Sequence, residues 1–138
     1  MQETITSPGV LALSRANMEN YFKTHDVKYV HEDAVFTNMS TGDEARGREA
    51  IGNLLHYIYH VAFDARAVTV NSIITEDKAM IEGFFRGKHI GEFAGVAATN
   101  KEVNVPLCVT YELEDGLIRH ARIYMLNEVM MKQLQGSN

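Results

Sequence analysis

At 138 residues the chain can bury roughly 68–70% of its unfolded surface around one core without covalent staples, so a single domain over residues 1–138 is expected. Hydrophobic residues make up 46% and charged residues 22%, an ordinary globular balance that excludes wholesale disorder and fibrous repeats. The 13 Lys and Arg against 18 Asp and Glu leave a formal charge of −5 and form no basic stripe, which argues against nucleic-acid and anionic-membrane partners.

Cys108 is the only cysteine, so an internal disulfide and a multi-cysteine metal site are both excluded. Glu3 stands where a secretory leader would carry positive charge, and the apolar stretch from Val10 to Leu13 is too short for a leader core. No run approaches the ~20 apolar residues that cross a bilayer. A soluble, cytoplasmic protein is the expectation.

In chain order, Thr6, Ser7 and Pro8 form a helix start, because a hydroxyl caps free amides and proline is tolerated in the first turn. Leu11, Met18, Tyr21 and Phe22 then share one face up to Lys23. Asp26 is placed to cap a short turn, and residues 33–39 read as a strand ending in a polar loop over 40–44. Residues 47–63 predict a long central helix, with Ile51, Leu54, Leu55, Ile58, Val61 and Ala62 in one apolar arc. Beyond Asp64 the period changes, and four strands are expected at 67–75, 79–93, 103–113 and 117–126. The turns Glu76-Asp77-Lys78 and Glu114-Asp115-Gly116 are short enough to make neighbouring strands antiparallel. Residues 127–135 close the chain as a short helix ended by Gly136. Helices before a curved antiparallel sheet define an α+β class, with a cavity between the two.

Two stretches, GKHIGEFAGVAATNKEVNVP at 87–106 and LEDGLIRHARIYMLNEVMMKQLQ at 113–135, carry a family resemblance together with GREAIGNLL at 47–55. In this order and spacing the chain resembles the SnoaL-like polyketide cyclase family of the nuclear transport factor 2-like superfamily. The resemblance implies a cone-shaped α+β barrel with a mostly apolar pocket, commonly dimeric through the outer face of its sheet. No cofactor is expected, and the resemblance leaves the chemistry open, since relatives include cyclases, ketosteroid-isomerase-like enzymes, epoxide hydrolases and proteins without known catalysis. Four positions depart from the family pattern. Lys88, Asn100 and Gln135 replace a threonine and two glycines, and Leu126 falls where the family's acid–base aspartate is expected.

Candidate site residues follow from strand parity. On the strand over 79–93 the odd positions, including Phe85 and His89, should point inward, which makes His89 the polar exception in the pocket and a candidate acid or base. On the last strand His120, Arg122, Tyr124 and Leu126 share one side with Ile118. The resemblance places that side toward the cavity, although a bulge would reverse the parity. Tyr124 is then a candidate oxyanion donor, and Phe85, Arg122, His120 and Leu126 are candidate ligand contacts. His56 and His60 have the four-residue spacing of a metal pair but project opposite the apolar arc, so a solvated face is expected and no metal site is assigned; the sequence indicates no third ligand, with His25 and His31 left open for that place. Asp33 reads as a cap or a carboxylate at the pocket mouth, and Cys108 as an inert thiol. Met80, Phe84 and Ile90 form an outer face too apolar for free solvent, which suits a homodimer.

Two functions are expected to compete. One is proton-transfer catalysis on a small apolar carbonyl or polycyclic compound, with His89 and Tyr124 as the working groups. The other is a non-catalytic ligand-binding or accessory protein, as Leu126 suggests.

Overall fold

The computed structural model describes residues 8–136. Helix α1 covers Pro8–Thr24, so the capping residues Thr6 and Ser7 lie outside the described residues. A 3-10 turn at Val27–Tyr29 follows, and the Asp26 carboxylate accepts the Lys28 amide at 2.9 Å, the capping expected of it. Strands β1 (Val30–Asn38) and β2 (Glu44–Arg46) come next, then helix α2 (Gly47–His56) running into a π-helical turn at Tyr57–Ala62. Strands β3 (Phe63–Ile74), β4 (Lys78–His89), β5 (Glu102–Glu114) and β6 (Leu117–Met125) and helix α3 (Asn127–Gln135) complete the order.

The six strands form one open mixed sheet in the order β2-β1-β6-β5-β4-β3. Four neighbour pairs are antiparallel, and β1 lies parallel to β6. The three helices pack against this curved sheet in the α+β cone arrangement, and the sheet does not close into a barrel. Side chains alternate most regularly on β5, where Val103, Val105, Leu107, Val109, Tyr111 and Leu113 are all buried and the residues between them are not. The curvature has a local cause on β4. A Cβ at Gly83 would lie 1.9 Å from the Val68 carbonyl oxygen, and one at Gly87 would lie 2.2 Å from that of Asp64, so only glycine lets β3 fold over β4 this closely.

Helix α1 buries Met18 and Tyr21 and is held across two hairpin turns by polar bonds. The Ser14 hydroxyl, fully buried, donates to the Glu76 carbonyl at 2.7 Å, and the Asn17 amide donates to the Gly116 carbonyl at 2.8 Å. The second of these turns has positive φ at both Asp115 and Gly116, the two-residue geometry that matches strand twist.

Three expectations shift. The central helix ends its α-helical part at His56, and the wider π turn presents Tyr59 to the interior while Val61 is left 45% exposed. The chain then enters β3 at Phe63, four residues earlier than alternation indicates, because Phe63 pairs with His89 and the Ala62 carbonyl takes the Ile90 and Gly91 amides. Strand β4 stops at His89 rather than continuing to Phe93, since left-handed residues at Ala94, Gly95 and Asn100 turn the chain back toward β5.

Candidate functional site

A cavity of about 240 Å³ opens between the concave face of the sheet and the helices. Its walls are mostly aliphatic and aromatic, drawn from Phe36, Leu54, Leu55, Ile58, Ile81, Leu107, Val109 and Ile123 among others. Asn38, Asp43, Glu44 and Asn127 are the polar residues at its more exposed side, where the Glu44 carboxylate is held by Arg46 at 2.5 Å. This is the concave, largely apolar setting with few polar groups that small-molecule sites share.

Within the walls sits a second polar group: His25, Tyr21, Tyr59 and Tyr111. His25 is the single imidazole in the lining among the described residues. It follows the last turn of α1 with φ +54°, its amide bonded to the Tyr21 carbonyl at 2.7 Å. A helix commonly ends on such a left-handed residue, but glycine usually fills it, and a side chain there costs about 1–2 kcal/mol. Here that conformation lays the imidazole against Tyr59, ring centroids 4.5 Å apart, and against the edge of Tyr21 at 5.2 Å. Tyr21 in turn meets Tyr111 edge-on at 6.1 Å, and Phe85 backs Tyr59 at 5.4 Å.

The electrostatics of the group follow from burial. Desolvation, aided by the neighbouring His60, pushes the His25 imidazole down from 6.5 to about 4, so it is neutral at neutral pH. Burial likewise raises the Tyr21, Tyr59 and Tyr111 phenols above their usual range, with mutual repulsion adding to it for Tyr21 and Tyr111. All three therefore stay protonated. Their hydroxyls take no hydrogen bond within the described chain, and all three residues line the cavity. The arrangement offers one neutral acceptor and several neutral donors to a bound oxygen.

The residues singled out by sequence are placed differently. His89 points inward as strand parity requires and is fully buried, but it does not line the cavity. Phe63 packs against its ring at 5.1 Å and against Phe85 and Phe93 at 5.0 and 5.2 Å, forming a wall of which only Phe93 reaches the cavity. The His89 Nδ1 accepts the Thr99 amide at 3.2 Å and lies 3.0 Å from the Thr99 hydroxyl, fastening the β4–β5 connection. Its Nε2 is buried with no partner among the described residues. Phe85 is inward and fully buried, one layer behind the cavity surface.

On β6 the parity expectation is corrected by an irregularity. The β5–β6 register shifts between Glu112 and Leu113, so Ile118 is buried before it and Ala121, Ile123 and Met125 face the interior after it. His120, Arg122 and Tyr124 consequently lie on the outer face. His120 Nε2 is 3.1 Å from the Thr37 hydroxyl, Arg122 donates to Glu112 at 2.6 Å, and Tyr124 is 44% exposed. Leu126 is 52% exposed and leads into α3, where its carbonyl accepts the Val129 and Met130 amides. None of these four lines the cavity.

His56 and His60 are exposed neighbours, 5.5 Å apart. The exposed Asp33 takes the Arg119 guanidinium on its carbonyl and lies away from the cavity lining. Cys108 is half-buried on the outer face beside Tyr124 and Glu82, and burial raises its thiol. The signal for His25 was present in the sequence: Met18, Tyr21, Phe22 and His25 stand at i, i+3, i+4 and i+7, so the histidine continues the buried stripe of α1. Tyr59 stands at i+8 from Ile51 and i+4 from Leu55, at the edge of the apolar arc of the central helix, and lines the cavity from the π turn.

The model of the family described as SnoaL-like polyketide cyclase matches residues 15–134, and the chain belongs to that family. No curated protein is significantly similar to it in sequence. Among solved structures it is similar to a protein described as a SnoaL-like polyketide cyclase from Jannaschia sp. CCS1, with TM-score 0.81, 15% identity and 100% of each chain covered. It is also similar to TsrD from Streptomyces laurentii, with TM-score 0.76, 20% identity and 90% of this chain against 96% of that one. A phenazine biosynthesis-related protein from Pseudomonas aeruginosa gives TM-score 0.76 at 16% identity, covering 91% and 87%. At such identities the likeness is one of fold.

Proposed function

We propose that the protein binds a small, largely apolar carbonyl or polycyclic compound in the cavity and performs cofactor-independent proton-transfer chemistry of the cyclase or isomerase type on it. The observation that carries this reading is the pairing, inside one apolar cavity, of a neutral imidazole with protonated phenols. A low-basicity acceptor removes a proton effectively only where donors stand ready for the charge that develops on the ligand oxygen. His89 and Tyr124 have no part in this reading, since neither lines the cavity.

A second reading, a non-catalytic ligand-binding or accessory protein, is favoured by Leu126, which stands exposed where the family's aspartate is expected. The two separate on incubation with 2-tetralone, a neutral bicyclic ketone, in deuterated buffer. The catalytic reading expects α-hydrogen exchange faster than in buffer alone. Saturable binding without faster exchange supports the accessory reading, and absence of binding overturns both. We further propose a cytoplasmic homodimer pairing through the outer sheet face, where Ile73, Met80 and Tyr124 are exposed; a concentration-independent monomer mass in light scattering would contradict the pairing.

A further inference from the structure

Among the described residues His25 differs from the histidines that fasten the fold. It occupies a left-handed backbone position, continues the buried stripe of α1, and shows its ring to the cavity between two phenols. His31 is bonded through Nδ1 to the Asp33 amide, His120 to Thr37 and His89 to Thr99, and the unbonded His56 and His60 are exposed to water, whereas the half-buried His25 ring lines the cavity with no bond within the described chain. A ring held in an unfavourable backbone conformation, with its polar atoms left for something else, is the signature of a binding residue rather than of a fastening one.

We infer that His25, with the hydroxyls of Tyr21, Tyr59 and Tyr111, is the polar pole at which the cavity holds the hydroxyl oxygen of a small, neutral phenol or enol. This rests on the proposed ligand-binding role of the cavity and names the chemical class it selects. The neutral imidazole accepts the hydrogen bond of the ligand O–H, and the tyrosine hydroxyls donate to the same oxygen. A ligand with only an acceptor at that end satisfies the phenols but leaves the imidazole lone pair unmatched. No lysine or arginine lines the cavity among the described residues, so an anionic ligand would find no counter-charge there. The apolar walls around Leu55, Ile81 and Val109 suit the ring system that carries such a hydroxyl.

The test uses the full chain and two probes of nearly the same shape, 2-naphthol and 2-methylnaphthalene, titrated by intrinsic ligand fluorescence. In the unaltered protein 2-naphthol is expected to bind about tenfold more tightly than 2-methylnaphthalene after correction for their different water solubility, the worth of one or two added hydrogen bonds. His25→Asn should remove most of that preference while leaving 2-methylnaphthalene affinity within about twofold, because asparagine adopts the same backbone region without reaching as far. Tyr59→Phe should remove a smaller part of it. Equal corrected affinity for both probes in the unaltered protein, or a preference that survives His25→Asn, overturns the assignment while the cavity reading stands. If neither probe binds, the cavity reading fails and the assignment with it. Retained 2-methylnaphthalene binding in His25→Asn separates loss of the polar pole from loss of fold.

Discussion

Half-buried His25 and fully buried His89 lie at the two ends of a run of packed rings, His25, Tyr59, Phe85, Phe63 and His89 in order. Their comparison shows how one residue type takes unlike work from its surroundings. His89 lies in regular strand geometry, and its bonds with Thr99 tie down the β4–β5 connection. His25 lies in a left-handed position at a helix end, its ring makes no hydrogen bond within the described chain, and it lines an apolar cavity together with three phenols. Burial alone does not distinguish a fastening residue from a reactive one; the partner inventory and the neighbouring free volume do.

The comparison breaks most severely if the wall between the two histidines is removed. Phe63→Ala should destabilise the protein by about 3–5 kcal/mol in chemical denaturation, because a fully buried ring is lost from contact with Phe85, His89 and Phe93. A change below 1 kcal/mol would mean that the wall does not pack as described.

His89→Ala should cost about 1–3 kcal/mol, since the Thr99 amide loses its acceptor, while 2-methylnaphthalene affinity stays within about twofold. The opposite pattern, intact stability with lost binding, would exchange the roles assigned to the two histidines.

The His25 imidazole also predicts a pH dependence. Its folded value of about 4 lies below the ordinary 6.5, so in that interval the unfolded chain binds more protons and stability must rise with pH. The contribution is complete above 6.5 and falls away toward pH 4, by about 3 kcal/mol at most. Tyr21, Tyr59 and His60 are the titratable groups around the ring, and the two phenols stay protonated throughout. Denaturation midpoints from pH 7 to pH 4 should therefore drop more steeply for the unaltered protein than for His25→Asn; parallel curves would contradict burial of a neutral ring. The smallest effect is expected at Tyr124→Phe on the outer face, within about 0.5 kcal/mol in stability and without change in cavity binding.

The fold was legible in the sequence where one period ran uninterrupted. The stripe of α1, the alternation of β5 and the hairpin turns could all be read, because each is set by side chains spaced along a single element. The mixed sheet was less visible: the parallel contact of β1 with β6 joins distant segments that share no local signal. Reading the candidate site met one irregularity: a register shift on β6 turned His120, Arg122 and Tyr124 outward, undoing a parity argument with a single residue's displacement. His89 was rightly turned toward the interior, but strand parity cannot tell a cavity surface from the packed layer behind it. His25 could have been found from its place at i+7 on α1, had the stripe been carried past the last helical residue.

The most direct test of the account is a crystal structure of the protein with 2-naphthol bound. The account predicts the ring system between Leu55, Ile81 and Val109, with its oxygen at hydrogen-bond distance from the His25 ring and from at least one of the Tyr21, Tyr59 or Tyr111 hydroxyls. A naphthol seated in the cavity with its oxygen turned to Asn38 and Asn127 instead, and His25 untouched, would contradict it.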